Sequence, residues 1–169
     1  MAVRRATGAD VSGIRRVAER SWARDYPSFL TRETIAGGVE EWYSPESIRA
    51  DLGNPEAVVV VATAGDEVVG FAHGHRSEDT GHLLRVYVDP DHRREGVAMD
   101  VVTNVFDAFH EAGVDQIRAM VLSENEQGRA FYRALGMTRV DTETTTIDGE
   151  RHEEAVFELS SAEDRPAVG

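Results

Sequence analysis

The first segment that could do chemistry has the sequence VYVDPDHRREGVA, residues 86–98. A strand that stops at a proline, a basic turn and a helix opened by glycine would bring free backbone N–H groups and the positive helix end to one place. Gly96 would let a phosphate approach the backbone closely, and the small Ala98 would keep the next turn open. Arg93 and Arg94 would add positive charge. The segment predicts an anion site; an ordinary capped helix with a solvated arginine pair is the alternative.

A second segment, NEQGRAFYRALGM at residues 125–137, follows the next strand. With residues 86–98 it resembles the GCN5-related N-acetyltransferase (GNAT) family, which carries V-x-P, then Q/R-x-x-G-x-G/A, and later N-x-x-A-x-x-F-Y-x-x-x-G-F. Gly128 stands where alanine is usual and Met137 where phenylalanine is usual. The segment VRRATGADVSGI near the start also looks like the family's opening, so the resemblance covers residues 3–159.

The resemblance implies acetyl transfer from acetyl-CoA to an amine. The pyrophosphate would rest on the backbone amides after Arg93, the pantetheine arm would pair with strand residues like an added strand, and Asn125 would hydrogen-bond that arm. The implied cofactor-binding residues are Val86, Tyr87, Val88, Arg93, Arg94, Glu95, Gly96, Val97, Ala98, Asn125, Phe131 and Tyr132.

Tyr132 stands where the family's general acid stands, near the departing thiolate. A tyrosine pKa near ~10 suits the return of a proton to a thiolate of similar basicity. The alternative for Tyr132 is an aromatic residue that only packs on its helix. No covalent enzyme intermediate is expected, because the chain has no cysteine and no recognisable Ser-His-Asp constellation.

The attacking amine must lose a proton, so a general base is wanted. Some family members carry a glutamate eleven residues before the Q/R of the turn, and here that position is His82, whose unperturbed pKa of ~6.5 fits the task. His75, Glu78 and Asp79 are rivals. His73 and His75 share a strand face, but no further ligand pattern accompanies them, so we expect no metal site.

The acceptor is expected to meet Tyr26, Trp42 and Tyr43, which lie in the variable helical region and look somewhat like the polyamine-acetylating branch. Alternatively, these aromatic side chains simply pack the helices on the sheet. The predicted acceptor is the primary amine of a small molecule, polyamine-like or amino-acid-like. Two other interpretations are a protein or peptide acetyltransferase and a non-catalytic CoA-binding regulatory module. Because many relatives dimerise, the resemblance also allows a homodimer.

Charge and composition narrow the functional class further. The 169 residues carry 31 acidic and 18 basic side chains, a net charge of −13, and every basic residue is arginine. Such an acidic surface disfavours nucleic-acid binding. Lysine-free acidic chains resemble proteins of halophiles, and this interpretation is favoured over attraction of a cationic substrate because the acidity spreads along the whole chain. No secretory signal or membrane span is visible, which predicts a cytoplasmic protein.

Hydrophobic periodicity then predicts the elements that position these residues. A valine-rich strand at 57–64, strands at 67–77 and 83–88, and a helix from 97 precede the second segment, and a hairpin around 148–149 joins two last strands. Two short helices are predicted at 31–38 and 44–52. We expect one α/β domain over residues 1–160, with a mixed, mostly antiparallel sheet of six to seven strands flanked by helices, and a flexible tail over 161–169.

Overall fold

Seven strands and five helices make up the computed structural model, which describes residues 1–25, 30–147 and 149–159. The strands are β1 (Ala2–Arg5), β2 (Ala57–Ala64), β3 (Glu67–Ser77), β4 (Thr80–Val88), β5 (Gln116–Leu122), β6 (Thr138–Ile147) and β7 (Glu150–Leu159). The helices are α1 (Val11–Asp25), α2 (Arg32–Tyr43), α3 (Pro45–Gly53), α4 (Val97–Glu111) and α5 (Glu126–Ala134). Short 3-10 turns precede α1 and α4 at Gly8–Asp10 and Pro90–His92.

The strands form one sheet in the order β1-β2-β3-β4-β5-β7-β6. Every neighbouring pair is antiparallel except β4 and β5, which run parallel because α4 crosses over between them. This arrangement confirms the predicted α/β class and the mixed, mostly antiparallel sheet. The tail at 161–169 lies outside the described residues.

Two apolar cores hold the helices on opposite faces of the sheet. Helices α4 and α5 cover one face, and α1, α2 and α3 cover the other. Val101, Val105 and Phe109 recur at helical spacing on the buried side of α4. A Cβ atom at Gly74 or Gly81 would lie 2.6 Å or 2.5 Å from the Phe109 ring, so these glycines allow α4 to approach the strands closely.

Helix α2 differs from its prediction. The sequence predicts an end near Gly38, because Gly37 and Gly38 weaken a helix, but α2 continues to Tyr43. A Cβ at Gly38 would lie 2.5 Å from Cζ3 of Trp22. The glycine therefore serves the packing of α2 against α1 rather than ending the helix.

Strand β4 also begins earlier than predicted, at Thr80 instead of Leu83. The connection between the predicted strands at 67–77 and 83–88 is therefore only a turn at Glu78 and Asp79, where Glu78 has a φ of +55°. Residues 80–83 pair with β3 on one side and with β5 on the other. Pairing partners that are distant in sequence, rather than local propensity, extend this strand.

The central strands separate halfway along the sheet. Parallel pairing of β4 with β5 ends at Leu83 and Ala119, although β4 continues to Val88 and β5 to Leu122. At the same level the register of β3 and β4 shifts, since His73 pairs with Arg85 but Gly74 pairs with Leu83. Leu84 is thus the extra residue of a β-bulge, which bends a strand and interrupts its ladder. The backbone edge of β4 beyond the bulge faces a gap.

Candidate active site

A cavity of about 570 Å³ fills the gap between β4 and β5. It extends from the starts of α4 and α5 on one face of the sheet to α1, α2, the end of β6 and the middle of β7 on the other. The predicted site residues that line it are Trp42, Val86, Tyr87, Val88, Arg93, Arg94, Gly96, Val97, Ala98, Asn125, Phe131 and Tyr132. Residues from both sequence segments therefore meet in one place.

The turn before α4 has the geometry of an anion site. Arg94 and Gly96 both adopt the left-handed conformation, with φ of +65° and +81°, and Gly96 is the N-cap of α4. A Cβ built at Gly96 would meet no atom within 4 Å, so open space lies in front of this backbone. The amide of Asp100 donates the first bond of the helix, to the Gly96 carbonyl, so the amides of the first turn precede the helical ladder. A diphosphate fits this turn by charge and by space.

Arg93 holds the turn to the rest of the fold. Its Nη2 donates to the Ser21 hydroxyl of α1 at 3.0 Å, and its Nε donates to the Val88 carbonyl at 3.3 Å. Nearby, Arg20 of α1 pairs with the buried carboxylate of Asp89 at 3.2 Å. These contacts tie α1 to the end of β4. Arg93 lines the cavity but also has this positioning contact, which the sequence pattern does not reveal.

Tyr132 lies on α5 with only 3% of its surface exposed. Its ring packs against Phe131 and Phe157, with both pairs of ring centroids 5.6 Å apart. Burial, followed by the nearby Tyr87 and Glu154, raises the pKa of Tyr132 well above its usual value. The hydroxyl therefore keeps its proton at neutral pH and can donate it within the cavity.

Asn125 lies at the start of the same helix. Its side-chain Oδ1 accepts a hydrogen bond from the Gly128 amide at 2.9 Å and so caps α5. A Cβ at Gly128 would lie 2.6 Å from Cγ2 of Val121 and 2.9 Å from Nδ2 of Asn125. Glycine in place of the family's usual alanine therefore leaves room for two residues that line the cavity.

The opposite end of the cavity is aromatic. Trp22 and Trp42 meet edge to face, with ring centroids 5.6 Å apart, and both line the cavity. The Arg85 guanidinium lies 5.6 Å from the Trp42 ring centroid and 5.0 Å from that of Tyr43. Trp42 is thus placed where an acceptor could reach it. Tyr43 is 1% exposed and lies behind the wall rather than in it, and Tyr26 lies outside the described residues.

His82 lies just below the point where the strands separate. It pairs with His75 on β3 and with Arg118 on β5, and it is not among the cavity-lining residues. Burial, then the charges of Arg118 and His75, lower its pKa. Its rivals Glu78 and Asp79 form the turn at the far end of β4, and neither they nor His75 line the cavity.

His73 is a buried neutral histidine. Its Nδ1 lies 3.7 Å from a carboxylate oxygen of Asp51. Burial and the nearby charges of Arg85 and His75 lower its pKa to about 4. Within residues 1–25, 30–147 and 149–159, no three histidine, aspartate or glutamate side chains are grouped as metal ligands would be.

Glu154 of β7 also lines the cavity and is not among the site residues predicted from the sequence. Its carboxylate lines the cavity beside Tyr132. The alternation of Ala155, Phe157 and Leu159 into the α4 side places Glu154 on the other face of the strand. That alternation is visible in the sequence, but only the separation of β4 from β5 turns this face into a cavity wall.

Comparison with known proteins decides the family. The sequence profile of the Acetyltransferase (GNAT) family matches residues 16–137, well over half of the chain. The chain belongs to the GNAT family. It is an acetyltransferase by that membership, and acetyl-CoA is its acetyl donor. The GNAT resemblance expected from the two sequence segments is confirmed.

Two curated relatives are named as acetyltransferases of spermidine and of thialysine. The chain is 23% identical over 145 residues to spermidine N(1)-acetyltransferase of Thermoplasma acidophilum, a match that covers 83% of this chain and 90% of that protein. It is 25% identical over 127 residues to thialysine N-epsilon-acetyltransferase of Bos taurus, which covers 73% of each chain.

The fold is shared with solved GNAT structures. The PaiA N-acetyltransferase of Thermoplasma acidophilum, crystallised in complex with coenzyme A, matches with a TM-score of 0.84 at 22% identity. The match covers 94% of this chain and 98% of that one. No helix in the described part of this GNAT chain is long and apolar enough to cross a membrane.

Proposed function

We propose that this enzyme transfers the acetyl group directly from acetyl-CoA to the primary amine of a small polyamine-like or amino-acid-like molecule. The observation that carries the proposal is the single cavity that passes through the sheet. The residues of the α4 turn, Trp42 and Tyr132 all line this one cavity. A donor and an acceptor bound from opposite faces would meet in the gap between β4 and β5.

The chain's own groups support a ternary-complex mechanism. The amides after Gly96 would hold the pyrophosphate. The edge of β4 at Val86 and Val88, which β5 does not pair with, would hold the pantetheine arm as an added strand. Acetyl-CoA supplies an activated thioester, so no enzyme nucleophile is needed. Tyr132 would give its proton to the departing thiolate, which is the role of a general acid.

The acceptor class rests on the aromatic end of the cavity and on the relatives. Trp42 is half-buried and can present its ring to an ammonium group, and Glu154 supplies a negative charge in the same cavity. The names of two curated relatives specify spermidine and thialysine, which are both small amines. A small cationic molecule is therefore favoured over a peptide, which would need an open groove. A homodimeric state and a cytoplasmic location stay predictions from the sequence.

The test is an acetyl-CoA turnover screen across polyamines, amino acids, aminoglycosides and peptides in high-salt buffer. Thiol release would be followed by colorimetry, and the acetylated amine would be identified by mass spectrometry. Reactions without an amine measure background thioester hydrolysis. We expect turnover above that background with at least one small diamine, polyamine or amino acid. Turnover with peptides alone, or with no amine at all, would overturn the proposed acceptor class.

A further inference from the structure

Glu154 occupies a defined position in the wall of the cavity. It pairs with Leu122 across β5 and β7, beyond the point where β5 leaves β4. Its neighbour Ala155 points into the α4-side core, so the Glu154 side chain faces the opposite side, where it lines the cavity. The carboxylate is half-buried, and its charge acts on Tyr132.

Among the described residues, no arginine or histidine lies within ion-pair distance of the Glu154 carboxylate. The Thr145 hydroxyl of β6 lies near enough to act on its pKa, which it lowers. Other half-buried carboxylates have cationic partners: Asp51 lies 3.7 Å from Arg85, and Glu158 lies 3.4 Å from Arg118. A half-buried carboxylate without a cation is costly unless a ligand supplies the positive charge.

We propose that Glu154 is the general base that takes a proton from the acceptor ammonium. This assignment rests on the proposed function, because it presumes that an amine enters the cavity. It places a base and the candidate acid Tyr132 in one cavity, where both can act on the same reacting centre. His82, the base expected from the sequence, lies outside that wall.

The proposed step conserves atoms and charge. Glu154 takes one proton from the ammonium, and the neutral amine attacks the thioester carbonyl carbon. The N–C bond forms, the C–S bond breaks, and its electron pair goes to sulfur, which receives the Tyr132 proton. The amide nitrogen loses a second proton, which replaces the one that Tyr132 gave. Glu154 releases its proton to solvent, so an ammonium and a thioester yield an amide, a thiol and one proton.

The surroundings of Glu154 make its carboxylate more basic than an exposed one. Burial raises its pKa, the Thr145 hydroxyl opposes that rise, and the charge of Glu143 on β6 adds to it. Tyr132 faces it from α5, and His152, next on the same face of β7, is paired with Glu124 and Glu150. A base works only when deprotonated, so the rate is lost as pH falls through this raised pKa.

The test is the pH–rate profile of Glu154→Gln with the best amine from the screen. The amide keeps the size of the side chain but cannot accept a proton. We expect kcat/KM for the amine to fall about 100-fold or more near neutral pH, with the KM for acetyl-CoA unchanged. The deficit should shrink as pH approaches the pKa of the free amine, about 10.4 for a lysine-like group, because the substrate then deprotonates itself. Glu153→Gln is the matched control, since Glu153 is the exposed neighbour on the same strand.

Two results would overturn the inference. One is a Glu154→Gln enzyme with wild-type kcat/KM across the whole pH range. The other is a pH–rate profile in which His82→Gln no longer shows the decrease of kcat/KM at low pH, whereas Glu154→Gln still shows it. Either result leaves the proposed function intact, because wild-type turnover of the amine is measured in the same experiment. Absence of wild-type turnover with every amine would instead refute the proposed function itself.

Discussion

Gly96 and Gly113 flank α4 at its two ends and have the same left-handed backbone conformation. Gly96 precedes the helix with a φ of +81°, and Gly113 follows it with a φ of +84°. A Cβ at either position would meet no atom within 4 Å. Substitution at each therefore carries the same left-handed strain, about 1–2 kcal/mol. Only Gly96 lies at the cavity.

The pair separates backbone strain from phosphate binding. Gly96→Glu should weaken CoA binding at least ~100-fold, near 3 kcal/mol, because it adds a side chain and a negative charge where the pyrophosphate would lie. Gly113→Glu adds the same side chain and similar strain at the other end of α4, so its CoA affinity should match the wild type. Isothermal titration calorimetry measures both. Wild-type affinity in a folded Gly96→Glu variant would refute the assignment of the phosphate turn.

His73 makes stability depend on pH. Its folded pKa is about 4, below the ordinary value of 6.5, so the unfolded chain binds this proton first as pH falls. Above pH 6.5 His73 is neutral in both the folded and the unfolded chain, so the free energy of unfolding does not depend on its titration there. Between pH 6.5 and about 4 the free energy of unfolding should decrease, and His73 should account for about 3 kcal/mol of that decrease. Urea denaturation across that range measures the slope.

The variant His73→Gln should lose most of that slope, because glutamine does not titrate. His92→Gln, a half-exposed histidine in the turn before α4, is the control and should retain it. Equal slopes in the wild type and His73→Gln would contradict the buried neutral histidine.

The acidic surface predicts a response to salt. Thirty-one carboxylates against eighteen arginines repel one another in dilute buffer, and molar salt shortens the screening length to ~3 Å. We expect Tm to be about 10 °C or more higher at 2 M KCl than at 0.1 M, since about 2 kcal/mol already moves a domain of this size by several degrees. A scanning calorimeter measures both. An unchanged or lower Tm would favour substrate attraction as the reason for the acidity.

The sequence predicts most of the strands and the glycine-opened turn before α4 because their signals are local. Pro90, Gly96 and Gly149 mark ends and turns, and the valine-rich run of β2 is buried along nearly its whole length, as expected of a strand covered on both faces. Helix α2 is longer than predicted because Gly38 packs against Trp22, a residue on another helix, and does not end α2. Long-range packing of this kind leaves no mark in a local pattern.

The donor half of the site is predictable from the sequence for the same reason, and the acceptor half is not. Gly96, Asn125 and Tyr132 lie in two short segments with fixed spacing, and all three line the cavity. Glu154 joins them only because β7 inserts between β5 and β6 and the parallel pair separates. Such placement depends on the topology of the sheet.

The kcat of Tyr132→Phe, measured with the best amine from the screen, tests whether the Tyr132 hydroxyl is the general acid. The substitution removes one hydroxyl and keeps the ring that packs on Phe131 and Phe157, so the fold and CoA affinity should change little. If the hydroxyl protonates the departing thiolate, kcat should fall, toward the low end of the ~10²–10⁴-fold range for general acids, because thiolate is a good leaving group. The KM for acetyl-CoA should stay nearly unchanged. A folded Tyr132→Phe enzyme with full kcat would show that this tyrosine only packs and that the proton comes from solvent.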